Sequence, residues 1–209
     1  MSRNTVVLQF ATQLEAQPFI ETLKLSQLQH TPFGLFRGDS SLYAIIGGIG
    51  ITSAAIATTY VCTTLNPDIL INIGAAGALT PNLTLGTIVT VTTVHDTSRF
   101  SFSKESPFAY TLAPIDNLST SQCVSVIKPL RTNEERQQFA SIADIVDMEL
   151  AGIAQASQIF STQCYAIKYV TDTAEHNTHE DIVKNIITLS QTTAGEIITH
   201  IQSLLATHL

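Results

Sequence analysis

Short runs rich in Val and Ile alternate with segments of helical periodicity along most of this chain. Apolar residues at three- and four-residue steps indicate helices, and short β-branched runs bounded by turn residues indicate strands. The predicted strands are 5–10, 42–46, 69–73, 87–94, 142–146 and 164–170, and the predicted helices are 14–25, 53–65, 148–160 and 182–205. This alternation predicts an α/β fold with helices on both faces of a parallel or mixed sheet.

Four further features complete the predicted organisation. Residues 96–121 lack periodicity and are rich in Ser, Thr and Pro, so we expect a loop or lid there. Thr132 followed by Glu135 has the spacing of a capping box, which predicts the start of a helix. Gly195 lies within the C-terminal helical pattern, where a glycine favours a bend. The length of 209 residues fits one domain, 1–209.

Charged residues make up only 13% of the sequence, against roughly 25% in an average globular protein. We therefore expect a surface that is largely uncharged or partly covered by a second subunit. The net charge of -7 and the 10 Lys and Arg residues argue against a nucleic-acid partner, which requires a clustered basic face.

The N-terminal sequence has too short an apolar run for a signal peptide, and no stretch approaches the roughly 20 apolar residues of a membrane-spanning helix. We expect a cytoplasmic protein with no membrane partner. Cys62, Cys123 and Cys164 are widely separated in apolar or Thr-rich sequence, so we expect reduced core thiols.

Polar residues or glycine-rich turns follow most of the predicted strands. Ligands of open α/β sheets bind beyond the carboxyl ends of the strands, so these positions are the candidates for a site. In chain order they are Glu15, a turn at 47–50 (GGIG), a turn at 74–77 (GAAG), Asp147, Glu149 and Asp172. Carboxylates and glycine turns are therefore predicted to gather at one edge of the sheet.

Each of these features also has a simpler interpretation. The glycines of 47–50 resemble a dinucleotide-binding turn, but Ser53 occupies the position of the third glycine, and a tight turn with positive φ explains the pattern equally well. Asp147 and Glu149 are also typical of a helix N-terminus, where acidic side chains are favoured. Asp172 is similarly placed to cap the segment that follows it.

Taken together, the motifs resemble the nucleoside phosphorylase and nucleosidase superfamily, and within it the methylthioadenosine/S-adenosylhomocysteine nucleosidases. The resemblance rests on 47–50 followed by Ala54 and Ala55, on 66–77 (NPDILINIGAAG), on 86–89 (GTIV), on 147–149 (DME) and on 170–172 (VTD). These segments occur in the family's order and roughly its spacing, and they cover most of the chain outside 96–140. The resemblance implies a three-layer α/β/α sandwich around a central mixed, partly closed sheet.

The same resemblance implies catalytic roles. Asp172 would be the general acid that delivers a proton to N7 of a purine, kept protonated by desolvation or by nearby carboxylates. Glu15 would polarise the attacking water, and Glu149 would bind ribose hydroxyls and stabilise the developing positive charge. The residues implied to bind the substrate are Ile49, Ala75, Ala76, Gly77, Asp147, Met148, Lys168 and Thr171. The resemblance implies neither a cofactor nor a metal.

Departures from the family pattern leave the identity of the nucleoside open. Lys168 and Thr171 stand where these nucleosidases usually have Arg and Ser, and 126–132 (VIKPLRT) lacks the aromatic residue that the family places against the purine. Members that act on futalosine-type nucleosides in menaquinone synthesis share the scaffold. The predicted substrate is methylthioadenosine or S-adenosylhomocysteine, with futalosine or aminodeoxyfutalosine as the alternative.

The same residues bear on three other candidate functions: a phosphorylase, a nucleoside-binding protein and an oxidoreductase. Phosphorylases of the superfamily have a basic residue after the first strand, whereas this chain has Glu15 and no Arg or Lys between Arg3 and Lys24. A carboxylate repels phosphate and can orient water, which favours hydrolysis. A nucleoside-binding protein without turnover does not need a general acid, and a nicotinamide-dependent oxidoreductase needs the missing third glycine.

The sequence also predicts a homodimer whose interface helps to close the site. The charged fraction is low, and the apolar stretch 56–65 (IATTYVCTTL) exceeds what one small sheet must cover. The resemblance also implies dimers in which a neighbour's loop reaches the sugar. We expect the aromatic loop 100–110 to make this contact, or alternatively to fold back on its own subunit.

Overall fold

The computed structural model describes residues 4–39, 41–99 and 108–208, and across these ranges it contains ten strands and five helices. The strands are β1 (Val6–Phe10), β2 (Ser26–Gln29), β3 (Gly34–Arg37), β4 (Leu42–Ile46), β5 (Ile69–Ala78), β6 (Ile88–Asp96), β7 (Phe108–Thr111), β8 (Ser119–Ser125), β9 (Ile145–Asp147) and β10 (Gln163–Asp172). The helices are α1 (Gln13–Thr22), α2 (Ile51–Leu65), α3 (Asn133–Gln137), α4 (Leu150–Ile159) and α5 (His179–His208).

The sheet has an open part and a closed part. In the open part, β1 pairs in parallel with β4 on one side and with β5 on the other, and β3 and β2 extend the β4 edge in antiparallel order. In the closed part, β5, β9, β8, β6 and β10 pair in succession, and β10 pairs back onto β5. The prediction of a mixed, partly closed sheet is confirmed.

Helices cover both faces of this sheet. Successive side chains of a strand point to opposite faces, and β1 is buried along its whole length because both of its faces are covered. Val6, Leu8 and Phe10 pack with α1 and α5, whereas Val7 packs with α2 and α4. The molecule is therefore the three-layer α/β/α sandwich that the sequence predicts.

The stretch 74–77, predicted as a turn, instead lies in the second half of β5. Gly77 pairs with Asp172 of β10 on one side and with Val146 of β9 on the other. A Cβ at Gly77 would lie 2.5 Å from Oδ2 of Asp172 and 3.0 Å from Cγ1 of Val146, which is closer than van der Waals contact. Small residues occur here because three strands must meet, not because the chain turns.

The prediction of a loop over 96–121 is also partly wrong. β7 pairs antiparallel with β6, and β8 begins at Ser119, so the ends of this region belong to the sheet. Of the aromatic loop 100–110, Tyr110 lies in β7, and 100–107 lies outside the described residues. β2 is absent from the sequence prediction because it is a polar and largely exposed edge strand without alternating hydrophobicity.

Two helix predictions and the cysteine prediction can be compared directly with the structure. Thr132 and Glu135 form the predicted capping box at the start of α3. The α5 helix continues through Gly195 without interruption. The three cysteines are free and buried. Of the helices in the described ranges, none is long and apolar enough to cross a membrane.

The α2 and α4 helices are in close contact at Gly152. A Cβ at this position would collide with the carbonyl oxygen of Ile51, the first residue of α2. Backbone atoms at a helix start cannot move aside as a flexible side chain does. Glycine is therefore required for the packing of these two helices.

Gly152→Ala is expected to lower the free energy of unfolding by about 1–3 kcal/mol, the usual cost of overpacking, as measured by urea denaturation. Gly195→Ala is the matched control, since a Cβ at Gly195 of α5 has no neighbouring atom within 4 Å. The control should gain about 0.5–1 kcal/mol from the better helix propensity of alanine. Shifts of the same sign and size in both variants would contradict the close approach of α2 and α4.

Candidate active site

A cavity of about 300 Å³ opens where the carboxyl ends of β1, β5, β9 and β10 meet. Glu15, Glu149 and Asp172, the three predicted catalytic carboxylates, all line it. The predicted substrate contacts that also line it are Ile49, Ala75, Ala76, Gly77, Asp147, Met148 and Thr171. Residues that are far apart in the sequence are therefore brought to one cavity by the sheet.

Glu15 is held in place by the first turn of α1. The N-cap residue Thr12 donates from its backbone N–H and its hydroxyl to Oε2 of Glu15, at 2.9 and 2.8 Å. The backbone N–H of Ala75 on β5 donates to Oε1 at 3.0 Å. Because three donors from two elements bind this buried carboxylate, its orientation at the cavity is fixed.

The glycine turn at 47–50 supports Glu149. Gly48 and Gly50 have φ angles of 85° and 100°, in the left-handed region that favours glycine. The N–H of Gly50 donates to Oε1 of Glu149 at 2.8 Å, and those of Gly47 and Gly48 donate to carbonyl oxygens at the end of β1. Three N–H groups of the turn are used inside the protein, so they do not form the phosphate cradle that a dinucleotide site requires.

Glu149 occupies the N-cap position of α4 and is almost completely buried. Burial raises the pKa of Glu149 to about 7, and the negative charges of Asp147 and Glu15 act in the same direction. Lys168 and the N–H of Gly50 partly oppose this increase. The charge of the cavity therefore changes near neutral pH.

Lys168, predicted as a substrate contact, instead lies behind the cavity wall. Its Nζ pairs with Oδ2 of Asp147 at 2.7 Å, and the two side chains are 2% and 0% exposed. Oδ1 of Asp147 accepts a hydrogen bond from Oγ of Ser125 at 2.5 Å, and Oδ2 also accepts from the N–H of Leu150 at 2.9 Å. Asp147 therefore joins β8, β10 and the start of α4, and its carboxylate has no exposed surface for a ligand.

Asp172 ends β10, and its carboxylate has two different partners. Nη2 of Arg136 donates to Oδ2 at 2.5 Å, and the hydroxyl of Thr171 donates to Oδ1 at 3.1 Å. Desolvation or nearby carboxylates are predicted to help Asp172 keep a proton, whereas the partners of its carboxylate in the structure are a guanidinium and a hydroxyl. Arg136 has no signal in the sequence, because α3 (NEERQ) has the composition of an exposed helix.

The rest of the wall is mostly aliphatic and comes from α5 and from the segment before α3. The aliphatic residues of these segments are Val126, Pro129, Leu130, Ile182, Val183 and Ile186, and Arg131 and His179 also line the cavity. The sequence assigns the apolar stripe of α5 to packing on the sheet alone, but its first turns also face the cavity. Apolar walls with a few fixed polar groups are typical of small-molecule sites.

The variant Glu149→Gln tests the raised pKa of Glu149 through the pH dependence of thermal stability. Glu149 titrates near 4.5 in an unfolded chain and near 7 in the folded protein. Between these values the folded protein keeps a proton that the unfolded chain has lost, so stability falls as the pH rises through this interval, and the penalty is complete above pH 7. Calorimetry should therefore show a higher Tm for the variant than for the parent at pH 8, and a much smaller difference at pH 5.

Glu196→Gln is the matched control, because this carboxylate of α5 is exposed. Its Tm difference from the parent should not grow between pH 5 and pH 8. If Glu149→Gln behaves in the same way as this control, burial does not raise the pKa of Glu149.

Comparison with known sequences places the chain in a family. A model described as "Phosphorylase superfamily" matches residues 5–123 and 118–203. The 5'-methylthioadenosine/S-adenosylhomocysteine nucleosidase of Baumannia cicadellinicola subsp. Homalodisca coagulata is 29% identical over 167 residues, covering 68% of this chain and 72% of the relative. The protein of the same name from Bacillus subtilis (strain 168) is 29% identical over 188 residues, covering 77% and 80%.

Solved structures share the fold at lower sequence identity. The structure of a futalosine hydrolase mutant of Helicobacter pylori strain 26695 has a TM-score of 0.85 at 15% identity, covering 96% of this chain and 99% of that chain. Arabidopsis thaliana 5'-methylthioadenosine nucleosidase in apo form has a TM-score of 0.85 at 19% identity, covering 97% and 96%. Sequence and fold agree, and the chain belongs to the phosphorylase superfamily.

Proposed function

We propose that this chain hydrolyses the N-glycosidic bond of a purine nucleoside and releases the free base. The observation that carries the proposal is the convergence of Glu15, Glu149 and Asp172 on one cavity of about 300 Å³. The relatives described above are named as nucleosidases of 5'-methylthioadenosine and S-adenosylhomocysteine, which supports the same reaction class.

Cleavage of this bond has two requirements: the base must leave as a neutral molecule, and the ribosyl group must be attacked as an oxocarbenium-like cation. In the proposed reaction, the C1′–N9 bond breaks with its electron pair moving to the base, and the carboxyl group of Asp172 delivers a proton to N7. Glu15 orients the water that attacks C1′ and accepts its proton. Glu149 accepts hydrogen bonds from the ribose hydroxyls and stabilises the positive charge.

The Glu15 end of the cavity favours water over phosphate as the acceptor. Thr12 and Ala75 fix Glu15 as a hydrogen-bond acceptor, and a negative charge at this position repels phosphate. Three N–H groups of the glycine turn at 47–50, a usual type of phosphate ligand, already donate within the protein. Hydrolysis therefore fits this end of the cavity better than phosphorolysis.

Two classes of nucleoside belong to the proposal. Methylthioadenosine and S-adenosylhomocysteine are the first, in agreement with the names of the relatives. Futalosine-type nucleosides are the second, because Val126, Pro129 and Leu130 form an aliphatic wall, and no Phe or Tyr of the described residues lines the cavity. This wall departs from the aromatic contact that the nucleosidase pattern provides for the purine.

The test is release of free base from methylthioadenosine, S-adenosylhomocysteine and futalosine, each with and without inorganic phosphate. We expect base and free sugar to form at a rate that does not depend on phosphate. A rate that requires phosphate and yields a sugar 1-phosphate would identify a phosphorylase. Nucleoside binding by calorimetry with no base released would identify a binding protein.

The role of Asp172 is tested in this assay with one variant and one matched control. Asp172→Asn should lower kcat by about 10²-fold or more while nucleoside binding is largely kept, because the lost proton acts in the transition state. Asp116→Asn changes an exposed aspartate outside the cavity and should keep the parent rate. An Asp172→Asn rate close to that of Asp116→Asn would remove Asp172 from the mechanism.

We also propose that the protein is a homodimer. Ile49 at the cavity is 60% exposed, and Ile56 on α2 is 57% exposed. Exposed large apolar side chains of this kind favour cover by a second copy of the chain. Light scattering at micromolar concentration is expected to give about twice the chain mass of 22.6 kDa. A mass equal to that of one chain would contradict the dimer.

A further inference from the structure

Arg136 is buried in a short helix whose other residues are exposed or half-buried. Only 3% of its surface is accessible, although α3 otherwise lies at the surface. Arginine is almost never fully buried unless its charge is paired. The burial of Arg136 therefore indicates a specific partner, and the reaction proposed above gives this residue no role.

The guanidinium of Arg136 joins three segments of the chain. Nη1 donates to the carbonyl oxygen of Ala78 at 2.8 Å, whereas Nη2 donates to the carbonyl oxygen of Leu130 at 3.2 Å and to Oδ2 of Asp172 at 2.5 Å. Because the guanidinium is planar and rigid, these three bonds fix its position. Arg136 lines a second cleft, of about 610 Å³, while Asp172 lines the site cavity, so their ion pair lies between the two.

Gly77 makes room for this ion pair. A Cβ at Gly77 would lie 2.5 Å from Oδ2 of Asp172 and 3.1 Å from Nη1 of Arg136. Both charged groups therefore lie against bare backbone of β5. The strand that forms one wall of the cavity also fixes where the two side chains meet.

In the state that can act as an acid the carboxyl group of Asp172 is neutral, and the hydrogen bond from Arg136 makes its two oxygens chemically different. A guanidinium has donors only, so a proton on the carboxyl group cannot point from Oδ2 towards Arg136 and is directed to Oδ1. The neighbour of Oδ1 is the hydroxyl of Thr171, at 3.1 Å. A hydroxyl can both donate and accept, so this contact tolerates Oδ1 with or without a proton.

We propose that Arg136 is a positioning residue that occupies Oδ2 of Asp172 and thereby presents the proton of this carboxyl group on Oδ1 to the departing base. This inference rests on the proposed nucleosidase function. In the step, the C1′–N9 electron pair moves to the base, the O–H bond at Oδ1 breaks, and an N–H bond forms at N7. Water adds to C1′, and its proton passes to Glu15.

A substrate whose leaving group needs no proton separates this role from a purely structural one. 4-Nitrophenyl β-D-ribofuranoside releases a stable phenolate, whereas a purine requires protonation. For Arg136→Met, kcat on the best purine nucleoside of the base-release assay should fall about 10²-fold with little change in KM. On the nitrophenyl riboside, kcat should stay within about threefold of the parent.

Two further variants show whether Arg136 acts through Asp172. Asp172→Asn should give the same difference between the two substrates. The double variant should be no slower on the purine nucleoside than Asp172→Asn alone, because residues that act as one unit are not additive.

Arg136→Lys keeps the charge but replaces the rigid fork by a compact ammonium, so it should restore part of the purine rate. If Arg136→Met does not fold, the ratio of the two substrate rates in Arg136→Lys gives the same test. Lys128→Met is the matched control, because it removes an exposed ion pair with Glu135 from the same segment. Both of its rates should equal those of the parent.

Equal losses on both substrates in the Arg136 variants would overturn the inference, and so would no loss on either. In both cases an active parent leaves the proposed function intact. A parent protein that releases no base from any purine nucleoside would instead remove the proposed function, and the inference with it.

Discussion

Three strands meet at Gly77, where β5 pairs with β9 and with β10 at the same residue. Only a residue without Cβ leaves room there for Oδ2 of Asp172 and for the side chain of Val146. This contact closes the five-strand ring and brings the carboxyl ends of β9 and β10 beside that of β5. The cavity exists at this edge because the ring closes here, so the fold and the site depend on the same backbone contact.

The cavity concentrates charge in a protein that has few charged residues. Lys168 and Asp147 form a fully buried ion pair, and Ser125 satisfies the second oxygen of Asp147. Burial of such groups costs free energy, and the attraction between them offsets this cost only when their hydrogen bonds are complete. Burial also raises the pKa of Glu149 to about 7. Buried carboxylates whose pKa lies near neutrality are typical of functional sites, which agrees with the role proposed for Glu149.

The sequence predicts the features that depend on local pattern, and it misses those that depend on distant contacts. The family resemblance, the partly closed sheet and most helices are confirmed, and topology alone predicts that carboxylates after successive strands converge. Small residues are typical of turns, so the sequence predicts a turn at 74–77, whereas the structure needs small residues there because β5 pairs with strands far away in the chain. Arg136 gave no signal, since Asp172 and Ala78 are 36 and 58 residues away. The catalytic roles of the three carboxylates stay predictions.

The capping box of α1 has an evolutionary consequence. Glu15 begins this helix through Thr12 and also lines the cavity, so one side chain serves both helix initiation and the proposed chemistry. Glutamine completes a capping box as well as glutamate does, and the two residues differ by one base in the codon. A single mutation can therefore remove the negative charge while the helix keeps its start and loses only the bond from Ala75. With the role proposed for Glu15, a descendant of this chain that binds nucleosides without cleaving them is one genetic step away, and its fold would match that of the parent.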